Sequence, residues 1–220
     1  MIEAIQLFKK FESGDSEIVA LDHVSFSVNK GEFIAVTGKS GSGKSTLLYQ
    51  LGLLDHPTGG KVLIDGVDVG ELSSDERTRF RLYHLGYVFQ DYAILPSLSA
   101  LENVSLPLLM QGLTPVLANE KAKAALERVG LGARIHNLPS QLSGGEQQRV
   151  AIARAISHDP KIIFADEPTA NLDTETSQTV LQCFLDLHKE GQTIIMVTHE
   201  PEYAALADRI FKLKDGHMIA

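Results

Sequence analysis

The chain has 220 residues, with 28 acidic against 20 basic side chains and a net charge of −8 at pH 7; that balance excludes a general nucleic-acid binder, which needs a basic surface to hold a phosphate backbone. A hydrophobic share of 44% with one cysteine describes a globular chain that needs no intrachain disulfide. No stretch reaches the roughly 18 uncharged apolar residues of a membrane span, and Met1-Ile2-Glu3-Ala4 lacks the basic start of a secretory signal, so a cytosolic location is expected.

Up to residue 37, three apolar runs alternate with turn residues and read as strands: Ile5-Gln6-Leu7-Phe8, Val24-Ser25-Phe26-Ser27-Val28 and Phe33-Ile34-Ala35-Val36-Thr37. The third runs into Gly38-Lys39-Ser40-Gly41-Ser42-Gly43-Lys44-Ser45-Thr46, of the form G-x-x-x-x-G-K-[ST], and Leu47, Leu48 and Leu51 then start a helical pattern. Strand, glycine loop and helix in that order read as a phosphate-binding loop rather than a flexible Gly/Ser segment. Its amides converge on phosphate oxygens at the positive end of the helix. Lys44 is placed for the β- and γ-phosphates of a nucleoside triphosphate, and the Ser45 hydroxyl for Mg²⁺.

A hairpin is expected at Lys61-Val62-Leu63-Ile64-Asp65-Gly66 and Val67-Asp68-Val69, and a strand Leu85-Gly86-Tyr87-Val88-Phe89 leads to Gln90. The stretch from about 97 to 158 is helical in character. Ser99-x-x-Glu102 is a capping box, Thr114-Pro115 a cap followed by proline at the first helical position, and Gly130 a stop. Pro107 is expected to end or kink the helix before it. From residue 160 strands and helices alternate again: strand 162–165, helix 174–190, strand 193–198, a short helix and strand 210–213. Cys183, on the helix 174–190, is expected to be a small buried apolar residue. This order predicts an α/β fold whose mostly parallel sheet is interrupted by a helical insertion.

Ile162-Ile163-Phe164-Ala165 ends in two carboxylates, the form of a central strand that delivers acids to its carboxyl edge. Behind a phosphate loop, Asp166 reads as part of the Mg²⁺ shell and Glu167 as the group that polarises an attacking water. Leu142-Ser143-Gly144-Gly145-Glu146 opens a further helix, where Ser143 and Glu146 form a capping box. Capping leaves Gly144 and Gly145 unexplained; paired glycines cost about 1 kcal/mol each in a helix start and expose bare amides, which suits a second anion site.

Taken together, the phosphate loop, Gln90 after a strand, Leu-Ser-Gly-Gly-Glu, Asp166-Glu167, Asn171-Leu172-Asp173 and His199 after a strand resemble the Walker A, Q-loop, signature, Walker B, D-loop and H-loop of an ATP-binding-cassette ATPase. They stand in the family's order and cover the chain from about residue 5 to its end. Gly86 to Gln90, the stretch Leu95-Pro96-Ser97-Leu98 to Leu108 and Ala165 to Asp173 further resemble the lipoprotein-release, macrolide-export and cell-division subgroup. The resemblance implies a P-loop NTPase fold with an antiparallel β subdomain and a helical subdomain at about 91–158, all within one cassette domain spanning 1–220. It also implies a head-to-tail homodimer that sandwiches two ATP molecules, each between one chain's loop and the other's Ser143, Gly144, Gly145 and Glu146. Gln90 would ligate Mg²⁺, His199 would contact the γ-phosphate, and Asp173 would couple the two sites. Phe11 is the candidate to stack on adenine, with a core phenylalanine as the competing reading. Glu146 stands where the family commonly has glutamine and brings a charge to the phosphate site.

Two functions fit this pattern. The leading expectation is the ATP-hydrolysing subunit of an exporter, lipoprotein-release or mechanotransmission complex, peripheral on the inner face of the membrane and acting on separate permease subunits. The alternative is a soluble cassette ATPase of iron–sulfur assembly or DNA-repair type. The interval from Lys44 to Ser143 has no room for the long coiled coil of the repair type, and the Asn-Lys-x-Asp motif of a GTPase is absent.

Overall fold

The computed structural model describes residues 1–13 and 16–219. The chain divides into two compact units, one of Met1–Arg79 with the segment from Gly191 onward, the other Phe80–Glu190.

The first unit starts with a long hairpin, β1 (Ile2–Ser13) against β2 (Ser16–Val28). With β4 (Gly59–Ile64) and β5 (Val67–Asp68) it forms an antiparallel sheet in the order β2-β1-β4-β5. Both opening strands are longer than their apolar runs suggest. Their pairing shifts register between Ala4 and Lys10, and each shift breaks the period of two by which a strand is recognised.

In the same unit, β3 (Phe33–Thr37) lies parallel to both β8 (Thr193–Val197) and β9 (Arg209–Lys214), and β10 (His217–Ile219) pairs antiparallel with β9. Ile194–Val197 are 0% exposed and Phe33–Val36 at most 1%, which is why both segments read as unbroken apolar runs rather than alternating ones. Helix α1 (Lys44–Leu51) buries Leu47, Leu48 and Leu51, and the short α7 (Pro201–Ala204) follows β8.

Helix α2 (Ser74–His84) was not legible in the pattern, because Arg77 is its one buried residue. That guanidinium replaces an apolar stripe as the anchor, donating to the carbonyls of Leu53, Asp55 and Val69 at 3.1, 2.9 and 3.3 Å.

The second unit pairs β6 (Leu85–Val88) parallel with β7 (Ile162–Asp166). Helices α3 (Ala100–Met110), α4 (Pro115–Arg128) and α5 (Gly144–Ile156) pack on one another, and α6 (Thr174–Lys189) packs on α5. The local signals hold: the Ser99 box caps α3, Thr114 caps α4 with Pro115 in its first turn, and Gly130 sits past its end with φ 75°. Pro107 does not end its helix, which runs on to Met110. Val104 and Leu108, 0% and 1% exposed, anchor the helix on either side of the one hydrogen bond that proline cannot donate.

Cys183 is half-buried rather than in the core, because it lies beside the inward stripe of α6 formed by Val180, Phe184 and Leu187. Burial pushes its thiol pKa up, so it is no ready nucleophile. Among the described residues no helix is long and apolar enough to cross a membrane.

Candidate nucleotide-binding site

The first unit holds the phosphate loop, His199 and Phe11. Leaving β3, the chain passes Gly38, where a Cβ would lie 2.3 Å from the Leu213 carbonyl oxygen and 2.5 Å from Ser42 Oγ. At the other end Gly43 caps α1 with φ 99°, and a Cβ there would meet the Ala20 carbonyl at 2.3 Å. No side chain caps this helix, so its first amides are directed into the loop.

The loop is braced from outside. Ser42 N–H donates to the Lys39 carbonyl at 3.1 Å, the Ser42 carbonyl accepts from Gly216 N–H at 3.1 Å, and the Gly216 carbonyl accepts from Asp22 N–H at 2.9 Å. Lys44 is 6% exposed and folds its Nζ onto the Lys39 carbonyl at 3.2 Å. Ser42 Oγ, in a residue 4% exposed, is buried without a hydrogen-bond partner. An uncapped helix start, a buried ammonium and an orphan hydroxyl fit a bound polyanion. Ser45 and Thr46 occupy the first turn of α1, half-buried, and Lys39, Ser40 and Gly41 form the exposed rim.

Because Val36 pairs with Val197 and Thr198 N–H donates to the Val36 carbonyl at 3.1 Å, the phosphate loop and His199 leave the same edge of the parallel strands. The His199 side chain is 52% exposed, with Nε2 3.1 Å from Glu200 Oε1. Phe11, paired with Ile18 across the hairpin, is 43% exposed, so the core reading of this residue does not hold.

The second unit holds Gln90, the carboxylates, the signature and Asp173. Val88 pairs with Ala165, so Gln90 and the Asp166-Glu167 pair leave one carboxyl edge. Asp166 is 4% exposed. Glu167 adopts φ 44°, a left-handed backbone that costs a non-glycine residue of order 1 kcal/mol and so points to a position set by more than local preference. The Gln90 carbonyl accepts from Asn171 Nδ2 at 3.3 Å, and the preceding Phe89 carbonyl accepts from Gln148 Nε2 at 3.3 Å. The side chains of Asn171 and of Gln148 on α5 thereby hold the backbone of Phe89 and Gln90.

Ser143 starts α5 as expected: its Oγ accepts from Glu146 N–H, and its own N–H donates to Glu146 Oε2 at 2.8 Å. The backbone hydrogen bond from Ser143, which outweighs the effect of burial, and the nearby Arg134 hold the Glu146 carboxyl below its ordinary value. Gly145 has a second reason, invisible locally. A Cβ on Gly145 would lie 2.0 Å from Thr176 Cγ2, so close packing of α5 on α6 as well as open amides demands glycine there, while one on Gly144 would stand 2.8 Å from the Tyr92 hydroxyl, which that side chain can relieve by moving. Asp173 caps α6, accepting from Thr176 N–H at 3.0 Å and from its hydroxyl at 2.6 Å, which lowers its pKa.

Two residues that the motifs did not single out shape the segment after Gln90. Arg154 donates to the carbonyls of Tyr92 and Ala93 at 3.1 and 2.5 Å. Asn103, 0% exposed, accepts from Leu95 N–H at 2.7 Å and donates to the carbonyls of Leu95, Leu98 and Ser99 at 3.0 to 3.1 Å. A polar residue in the apolar stripe of Ala100, Val104 and Leu108 was the available signal for Asn103.

Among the described residues no three His, Cys, Asp or Glu side chains group to hold a metal unaided.

A family model described as ABC transporter matches residues 21–170. The chain is 47% identical to an uncharacterized ABC transporter ATP-binding protein of Thermotoga maritima over 99% of this chain and 93% of that one. It is 46% identical over its whole length to the macrolide export ATP-binding/permease protein MacB of Hyphomonas neptunium, spanning 34% of that relative; the chain thus spans about a third of the macrolide-export relatives it matches. Among solved structures, the dimeric post-hydrolysis state of the ATP-binding cassette MJ0796 bound to ADP and Pi superposes with a TM-score of 0.93 at 40% identity, covering 100% of this chain and 97% of that one.

Proposed function

The chain belongs to the ABC transporter family of ATP-binding proteins, and from that membership we propose that it hydrolyses ATP as a head-to-tail homodimer, driving separate permease subunits at the inner face of a membrane. Exporter, lipoprotein-release and mechanotransmission complexes are the class of machine that this reading covers. The observation that carries it is the phosphate loop, in which a helix without a side-chain cap, the buried Lys44 and the orphan Ser42 hydroxyl favour a triphosphate.

In this reading the loop amides from Gly38 to Thr46 hold the phosphates and Lys44 balances charge between the β- and γ-groups. Ser45, Asp166 and Gln90 would hold Mg²⁺, whose charge neutralises that developing on the leaving phosphate. Glu167 orients and deprotonates the attacking water, and His199 contacts the γ-phosphate. The exposed Ser143 and the first amides of α5 close on the other copy's nucleotide, with Asp173 and Glu146 at the rim. That the related MJ0796 cassette is dimeric with ADP and Pi bound supports association of two copies.

The helical subdomain of about 91–158 would receive the permease. Leu95, Leu109, Met110, Val116 and Leu117 there are 41 to 68% exposed and offer apolar side chains to a partner. Asn103 and Arg154 pin the segment after Gln90, so motion on nucleotide binding would pass through the segment as a unit.

The Glu167→Gln variant tests the chemistry. It keeps shape and loses the base, so it should bind MgATP, hydrolyse it at least about 100-fold more slowly and elute as a dimer with ATP in gel filtration. Hydrolysis within a factor of two of the parent would overturn the assignment of Glu167.

A further inference from the structure

Resting on the reading of Phe11 as the adenine platform, we propose that Lys9 is a positioning residue for the base: its ammonium fixes the Phe11 ring and links that ring to the phosphate-binding helix α1. The Phe11 side chain is 43% exposed. A phenylalanine so exposed, with no hydroxyl to tie down, exchanges rotamers within nanoseconds, and ordering it when a base arrives subtracts from affinity. Lys9 removes that freedom. Its Nζ stands 4.8 Å from the ring centroid, within cation–π range, and confines stacking to the opposite face of the ring.

The ammonium is itself held. It donates to the His56 carbonyl at 2.7 Å and pairs with Asp55 Oδ2 at 2.7 Å, in a side chain 11% exposed. Asp55 is held in turn by His56 N–H at 2.7 Å and by Gln50 Nε2 at 2.8 Å. Burial alone would raise the Asp55 pKa; hydrogen bonds from Lys9, His56 and Gln50 outweigh it and keep the carboxyl below its ordinary value. Gln50 is 1% exposed and sits in the last turn of α1, the helix that begins with Lys44. The path Phe11–Lys9–Asp55–Gln50 lies within one compact unit and sets the ring's position relative to the helix that meets the phosphates.

Calorimetry on the full chain with ATP and with inorganic triphosphate separates base from phosphate binding. Lys9→Met, which keeps the stem and drops the charge, should weaken ATP by about two- to fivefold, the range of an exposed cation–π contact. Triphosphate affinity should not move, Lys9→Arg should restore ATP affinity, and the Lys9→Met effect should vanish in a Phe11→Leu background. Equal losses for both ligands, or full additivity with Phe11→Leu, would overturn the proposal. A Phe11→Leu chain that binds ATP as the parent does overturns the platform reading itself. Weakening by Phe11→Leu but not by Lys9→Met overturns only the role of Lys9. Gln50→Leu keeps the test open should Lys9→Met fail to fold: it loosens Asp55 alone, and should lower ATP affinity while sparing triphosphate. Parallel loss of both in that variant also counts against the link.

Discussion

Gly145→Ala places a methyl where the structure has no room. Its Cβ would stand 2.0 Å from Thr176 Cγ2, so the two carbons must part by about 1.5 Å to reach van der Waals contact. Thr176 is poorly able to yield, because rotating its side chain breaks the 2.6 Å hydrogen bond from its hydroxyl to Asp173 Oδ2, the carboxylate that caps α6. Overpacking of this kind costs about 1–3 kcal/mol, and a central value of about 2 kcal/mol lowers the melting temperature by roughly 4–8 °C in a chain of this size. Thr176→Ser removes the clashing methyl and keeps the hydroxyl, so in the double variant most of the loss should return. Urea unfolding of the four members of the cycle measures this directly, and ATP hydrolysis is followed in parallel. Stability that recovers while hydrolysis does not would assign Gly145 two separate duties, packing and access to nucleotide. A Gly145→Ala chain as stable as the parent, or a loss that Thr176→Ser leaves untouched, would refute the packing argument.

Two further outcomes follow from the same geometry. Asn103→Leu conserves volume but deprives the Leu95 N–H and Leu98 carbonyl of their tie to the asparagine; a cost of about 2–4 kcal/mol is expected, with faster proteolysis between residues 91 and 99, and a loss below about 1 kcal/mol would contradict it. Glu146 has a depressed carboxyl pKa in the fold, so its contribution is present above the ordinary value near 4.5 and fades as pH falls through the folded value. Glu146→Gln should therefore lower thermal stability at pH 7, and its gap from the parent should close as pH falls below about 4.5; an unchanged acid limb in melts across pH would count against the capping role.

The parts of the fold that were legible in the sequence are those whose cause is local. The loop from Gly38 to Thr46 is read from a strand, three glycines and a helix within a few residues of one another. The caps at Ser99, Thr114 and Ser143 are each complete within four residues. What escaped depends on distant neighbours. Helix α2 is held by one buried arginine on loop carbonyls, which leaves no apolar period to detect. The register shifts of the β1–β2 hairpin hide most of both strands. Pro107 reads as a break until the burial of Val104 and Leu108 is seen to outweigh it. At the candidate site the difference is the same in kind: Gly144 and Gly145 suggest bare amides from sequence alone, and the pressure of Thr176 on Gly145 emerges only when the chain is folded. Phe11 shows the reverse case, a residue whose chemistry allowed either core or surface until its exposure decided the matter.

The proposal that one copy's phosphate loop works with the other copy's signature is tested most directly by mixing two inactive chains. Lys44→Ala lacks the loop ammonium, and Ser143→Arg puts bulk and charge at the signature; each alone should hydrolyse no ATP. In an equal mixture half of the dimers pair one of each, and in those one composite site has an intact loop and an intact signature, so about a quarter of the parent's working sites should return. Recovery of hydrolysis toward that level, rising and falling with the mixing ratio, is the predicted result. A mixture that stays as inactive as its components, while gel filtration shows that mixed dimers have formed, would contradict the head-to-tail arrangement.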